Sequence, residues 1–138
     1  MSFDRTSVSR SVTLNAPIDE VWAVAGDFHG LHKWHPAVTD SLREHVGDEE
    51  FRALTLADGG RLLEHLEDRT SHSYRYAILR GPLPVKHYHA TLEATDAGGR
   101  TTVTWSSVFE PTTGNAEEVI AAVYEAGLGA LEQHFGGA

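Results

Sequence analysis

The stretch Ala116 to Phe135, AEEVIAAVYEAGLGALEQHF, decides the fold. Ile120, Val123, Tyr124, Gly127, Leu128, Leu131 and Phe135 recur at three- and four-residue steps, which is one face of an α-helix. Nearly everything before it reads as short strands, so this one long helix has only their sheet to pack on. Gly127 and Gly129 each cost a helix about 1 kcal/mol relative to alanine. A helix that carries that cost in mid-span is expected to need room beside it. A helix gripped by a curved sheet, with space between them, describes a small-molecule cavity.

Upstream, six segments read as strands: Thr39 to Val46, Phe51 to Leu56, Arg61 to Glu67, Ser73 to Leu79, Val85 to Ala94 and Arg100 to Glu110. Turn chemistry separates them at Gly47-Asp48, Asp58-Gly59-Gly60, Asp68 to Ser71, Gly81-Pro82-Leu83-Pro84 and Asp96 to Gly99. With no helical crossover between them, they favour an antiparallel meander. Val8 to Leu14 adds a first strand. Asn15 then offers a cap and Pro17 opens a short helix to Val24, with Asp19 and Glu20 complementing its dipole. A second helical turn, Leu31 to Trp34, is stopped by Pro36. The order is β, α, α, six β, α.

At 138 residues the chain is one domain. It can bury about two thirds of its unfolded surface, enough for a core and a cavity. A formal net charge of −9 argues against a nucleic-acid partner and against polybasic attachment to membranes. The absence of cysteine excludes disulfides, thiolate metal sites and a cysteine nucleophile. No run reaches the length of a membrane span, so no stable membrane insertion is expected. MSFDRTSVSR lacks the apolar stretch of an export signal, and the expected location is the cytoplasm. The oligomeric state is open, a homodimer included.

Strand alternation sorts the side chains by face. Tyr74, Tyr76 and Ile78 share a side, as do Tyr88, Ala90, Leu92 and Ala94, and Val103, Trp105, Ser107 and Phe109. These apolar faces should meet the helix, giving an aromatic lining with phenols and an indole as polar handles. Leu62, Glu64 and Leu66 share a side too, which puts one carboxylate on an otherwise apolar wall.

The chain resembles the SRPBCC superfamily, also called START-like or birch-pollen-allergen-like, over essentially its whole length. The motifs are Ala16-Pro17-Ile18-Asp19-Glu20-Val21-Trp22, Trp34-His35-Pro36, Gly81-Pro82-Leu83-Pro84 and Val103-Thr104-Trp105. It is most similar to the small bacterial polyketide cyclase/dehydrase branch, and Trp34-His35-Pro36 with GPLP and Trp105 also resembles small periplasmic proteins linked to methanol oxidation. The resemblance implies an α+β helix-grip fold: a curved seven-stranded antiparallel sheet around a long C-terminal helix, enclosing a hydrophobic ligand cavity. At Glu64-His65-Leu66 the chain resembles plant hormone receptors of the same fold. That likeness implies a carboxylate at Glu64 and a tyrosine at Tyr88 inside the cavity, with Ala57 to Gly60 as a gate and Gly81 to Pro84 as a latch. The receptors' own gate sequence is missing, so hormone sensing is not implied.

Glu64, His35, Tyr76 and Tyr88 are the candidate catalytic groups. A carboxyl on an enclosed apolar face has its pKa raised, which suits acid–base work, but Glu64 could equally pair with an arginine or a tyrosine hydroxyl and only hold the wall. His35 could move protons at the pocket mouth, or bond a free helix-end carbonyl. Tyr76 and Tyr88 could stabilise an oxyanion or simply pack. Trp34, Tyr74, Ile78, Ala90, Trp105, Phe109, Tyr124 and Leu128 are candidate ligand contacts, with plain core packing as the other reading for Tyr74 and Leu128. Among nine histidines, His29, His32 and His35 are spaced by threes and His87-x-His89 shares one strand face. The second pair belongs to the outer face and the first set crosses Gly30 with no carboxylate ligand, so no metal and no cofactor are expected. Two functions remain: a cofactor-independent cyclase or dehydratase acting on a polyketide-like carbonyl compound, or a non-catalytic carrier or sensor of a lipid or aromatic metabolite.

Overall fold

The computed structural model describes residues 5–138; the first four, the start of the segment read for an export signal, lie outside the described residues. The elements run β1 (Thr6–Leu14), α1 (Ile18–Ala25), a 3-10 turn (Phe28–Lys33), β2 (Val38–Val46), β3 (Glu49–Leu56), β4 (Arg61–Thr70), β5 (Ser73–Arg80), β6 (Val85–Asp96), β7 (Thr101–Pro111) and α2 (Ala116–Phe135). All seven strands form one antiparallel sheet in the order β1-β7-β6-β5-β4-β3-β2. β1 closes against β7 because the α1 and 3-10 segment carries the chain across to the far edge. The curved sheet wraps α2, as the helix-grip reading expects.

Several local details differ from the sequence reading. Pro17 stands just before α1 as its N-cap, in extended conformation and with no side-chain cap bond, so Asn15 does not cap this helix. The second helical turn begins earlier, at Phe28, where the Asp27 carboxylate accepts the His29 amide. β4 continues through Asp68 to Thr70 rather than ending at Glu67. A register shift between Leu66 and Asp68 lets it stay paired with β5 down to Thr70–Ser73.

The core lies between the sheet and α2. Ile120, Tyr124, Leu128 and Leu131 are buried on the helix, against Val8, Tyr88, Leu92, Val103, Trp105 and Phe109 from the strands. His87 and His89 point outward and bond Glu110 and Glu67. His29 bonds Glu50, and among the described residues no three His, Cys, Asp or Glu side chains are grouped to hold a metal ion. No described helix is long and apolar enough to cross a membrane.

The two helix glycines do different things. A Cβ on Gly127 would lie 2.7 Å from His35 Cδ2 and 2.9 Å from Trp105 Cζ3, whereas nothing lies within 4 Å of one on Gly129. Gly127 therefore serves close packing rather than empty room, which corrects the sequence reading. Gly127→Ala should destabilise the protein by about 1–3 kcal/mol through overpacking, despite its better helix propensity. Gly129→Ala should instead stabilise it by up to about 1 kcal/mol. Urea denaturation of the two variants gives both signs, and equal effects would refute this reading.

Candidate active site

Period-two alternation in β3 puts Arg52 on the same face as Leu54, and in β4 it puts Glu64 on the same face as Leu62. Antiparallel register sets Arg52 directly opposite Glu64. Both side chains thus turn inward: Arg52 is fully buried and Glu64 is 3% exposed. Arg52 Nε donates to Glu64 Oε1 at 2.7 Å. Its Nη1 donates to the Phe28 carbonyl at 2.8 Å and to the Tyr74 hydroxyl at 3.3 Å. The guanidinium lies 4.1 Å from the Phe28 ring centroid and 4.9 Å from that of Tyr76, a cation–π sandwich that replaces part of its lost hydration.

Burial pushes the Glu64 carboxyl above its ordinary pKa, and the charge and hydrogen bond of Arg52 pull it back. A guanidinium cannot give up its proton, so a neutral Glu64 would strand a buried cation. The two are therefore an ion pair. Oε1 is committed to Arg52, while no described protein donor bonds Oε2. Glu64 thus retains one oxygen for whatever enters beside it.

What lies beside it is a cavity of about 300 Å³. Its walls are Leu54, Leu56, Leu62 and Ile78 from the sheet, Ile120 and Val123 from α2, and Leu31, His35, Ala37 and Val38 from the crossing segment. Glu64, Tyr76, Tyr88 and Trp105 join them as residues with polar side-chain atoms. Ala57, Asp58 and Leu83 complete it at the two loops expected as gate and latch. Those loops touch: a Cβ on Gly60 would sit 3.1 Å from Pro82 Cγ. The Ala57 amide ties the first loop to the Ala37 carbonyl at 2.9 Å.

The phenols form a chain. Trp105 Nε1 donates to the Tyr76 hydroxyl at 3.0 Å, Tyr76 and Tyr88 share a 3.1 Å bond, and Tyr88 bonds Tyr124. Burial pushes the pKa of all three phenols upward, so they remain protonated donors at neutral pH. Trp105 can only donate. Three hydroxyl protons then serve two bonds between phenols, and one proton is left over. Two of the three permitted polarisations leave it on Tyr76 or Tyr88, at the cavity wall; the third leaves it on Tyr124.

His35 is placed at the cavity but is not free to act. Its Nε2 donates to the Val123 carbonyl of α2 at 2.8 Å, and its Nδ1 accepts the Ala37 amide at 3.1 Å. Burial lowers its pKa and keeps it neutral. With both nitrogens engaged by backbone, its expected proton-moving role is corrected to that of a strut between α2 and the crossing segment.

Of the expected ligand contacts, Ile78 and Trp105 line the cavity. The other six stand off it. Tyr74 packs edge-on against Phe28 behind the ion pair, with centroids 5.4 Å apart. Phe109 stacks on Tyr88 at 6.0 Å and Tyr124 on Trp105 at 4.6 Å. Ala90 and Leu128 are buried in the core, and Trp34 lies tilted against Trp105 with ring centroids 6.1 Å apart. Alternation gave the face of Tyr74, Ala90 and Phe109 but not their depth: the β6–β7 half of the grip is filled by aromatic rings, and the space remains under β3 to β5. Sequence reasoning missed Arg52 and the aliphatic wall. The signal for Arg52 was present, because it alternates with Leu54 and Leu56 in the segment FRALTL.

Removing one charge alone should be costly. Arg52→Met leaves Glu64 without its counter-ion and should destabilise the fold by about 3–5 kcal/mol, and Arg52→Met with Glu64→Leu should recover most of that loss. Chemical denaturation of the single and double variants tests this; a double variant no better than the single would contradict it.

Residues 5–136 match the model of the family described as polyketide cyclase / dehydrase and lipid transport. The chain has no match among curated proteins. It is similar to the solved structure of the protein XoxI from Bacillus cereus, at 28% identity over 94% of this chain and 95% of that one, with a TM-score of 0.87. A protein from Thermobifida fusca, solved in solution, is 29% identical over 94% and 93%, with a TM-score of 0.80. The Zhui aromatase/cyclase from Streptomyces sp. R1128 is 19% identical over 98% and 100%, with a TM-score of 0.78, a likeness of fold alone. A hydrophobic cavity between sheet and C-terminal helix, with this match across nearly the whole chain, makes the protein a member of the polyketide cyclase/dehydrase and lipid transport family, within the SRPBCC superfamily.

Proposed function

We propose that this protein binds an apolar carbonyl compound of polyketide type in the cavity and acts on it as a cofactor-independent cyclase or dehydratase. The observation that carries the reading is the Glu64 carboxylate: it stands in an apolar enclosure, with Oε1 held by Arg52 and Oε2 left to the cavity. Burial makes it more basic than a solvated carboxylate. The phenol chain supplies the complementary group, a neutral O–H donor on Tyr76 or Tyr88.

Each group then has one task. Glu64 Oε2 takes a proton from the carbon next to a carbonyl. The spare phenolic proton bonds the carbonyl oxygen as negative charge develops on it, and the low polarity of the walls strengthens that bond. The resulting enolate carbon attacks a second carbonyl held in the same enclosure, forming the ring bond. Glu64 returns its proton to the alkoxide so formed, then takes a second proton from the same carbon and delivers it to the departing hydroxyl as the carbon–carbon double bond forms, so the net change is loss of one water. Arg52 fixes the carboxylate's orientation, and His35 fixes the helix that closes the cavity. Confinement folds the substrate and excludes bulk water.

A non-catalytic carrier or sensor is the second reading, favoured by the Arg52–Glu64 bond itself. A carboxylate already neutralised by a buried partner can simply select a ligand. The family's description, which covers lipid transport as well as cyclases, accommodates both.

Turnover separates them. Under the enzyme reading, Glu64→Gln should lower the rate about 10²–10⁴-fold while ligand binding survives. Tyr76→Phe and Tyr88→Phe should each lower it by up to about 10²–10³-fold. Product formation by mass spectrometry on model poly-β-carbonyl substrates, with folding of each variant verified by circular dichroism, gives the result. Unchanged turnover in a folded Glu64→Gln protein would remove the catalytic assignment and leave the carrier.

A further inference from the structure

The charge arrangement around the cavity carries an inference about which ligands it admits. No lysine or arginine lines it among the described residues. Arg52, bonded to Glu64, is not among the lining residues. Its Nε and Nη1 are spent on Glu64, Phe28 and Tyr74, and its remaining Nη2 has no accessible surface. The ion pair therefore presents its negative end to the cavity and hides its positive end. The other acidic side chain on the wall is Asp58, in the loop at the cavity's edge, whose Oδ1 accepts the Gly60 amide at 2.8 Å. His35, with both nitrogens bonded to backbone, offers no donor.

A ligand carboxylate in this space would meet one carboxylate inside and another at the edge. Against its several lone pairs stands one spare phenolic proton. That cannot replace the hydration an anion gives up on entering an apolar site. A neutral hydroxyl or amino group fits the same inventory: it donates to Glu64 Oε2 and accepts the phenolic proton. The volume adds a second limit. About 300 Å³ is at the low end for small-molecule sites, which suits a compact body of one or two rings lying against Trp105 and Tyr76 rather than an extended acyl chain.

We infer that the cavity selects compact, uncharged compounds, above all those with a hydroxyl or amino donor such as the phenolic ring products of the reaction proposed above, and refuses free carboxylic acids, fatty acids included, with Glu64 and Asp58 as the residues that set this preference. The inference rests on the cavity being the binding site proposed above, but it concerns binding alone. Discrimination without turnover leaves it standing while the enzyme reading fails; turnover without discrimination does the reverse.

Two probes that share a bicyclic body decide it: 2-naphthol and 2-naphthoate, titrated into the protein by calorimetry at neutral pH, where the first is uncharged and the second ionised. The expected result is that naphthol binds at least about tenfold more tightly than naphthoate, and that Glu64→Gln narrows the gap. Should that variant fail to fold, Arg52→Met with Glu64→Gln, which removes both charges together, carries the same comparison. Naphthoate binding as tightly as naphthol to the wild type would overturn the inference, and so would binding of neither.

Discussion

A fully buried guanidinium stays in an apolar interior only if a carboxylate stays with it, and in this protein that condition organises the site. Arg52 reaches Glu64 across one strand pair, the Phe28 carbonyl in the crossing segment and the Tyr74 hydroxyl on β5. One cation thus ties the 3-10 turn to three strands. The cost of leaving either charge alone keeps the two together, and their pairing leaves one carboxylate oxygen facing the cavity. The same interaction supports the fold and supplies the reactive or selecting group.

The rest of the grip is divided by how it is filled. Under β6 and β7, aromatic rings fill the interior as two stacked pairs, Tyr88 on Phe109 and Trp105 on Tyr124. Under β3 to β5 the wall is aliphatic, and the cavity opens there. The phenol chain lies at the boundary. Its hydroxyls are satisfied largely by one another, which lets polar atoms sit deep in the core, and in the polarisations that leave the surplus proton on Tyr76 or Tyr88 the packed half offers a donor to the open half. Gly127 belongs to the same boundary: only a residue without a side chain lets His35 and Trp105 approach the helix as closely as they do.

Much of this was legible from the sequence because periodicity reports faces. The helical spacing of Ile120 to Phe135, the alternation through Tyr74-Tyr76 and Tyr88-Ala90, and the turn residues between strands placed every element. Inward orientation of Glu64 followed from the same alternation. Depth was not legible. Whether Tyr124 or Phe109 touches open space or another ring depends on rotamers and on the local curvature of the sheet, which a period of two does not encode. Arg52 was passed over because an arginine in a strand is ordinarily solvated; only its alternation with two leucines and its register opposite Glu64 mark it as buried. His35 was placed at the cavity correctly, but the engagement of both ring nitrogens by Val123 and Ala37 arises from contacts two and 88 residues away.

Glu64 is an ionised carboxylate, locked by Arg52 on one oxygen and open to the cavity on the other. Carbon-13 NMR of the glutamate side-chain carboxyls, with Glu64 assigned by its loss in Glu64→Gln, observes that group directly. The expected spectrum shows the chemical shift of an ionised carboxylate at neutral pH, and a displacement of that resonance when a neutral aromatic alcohol enters the cavity. A resonance at the position of a protonated acid, or one that stays fixed while such a ligand binds, would contradict it.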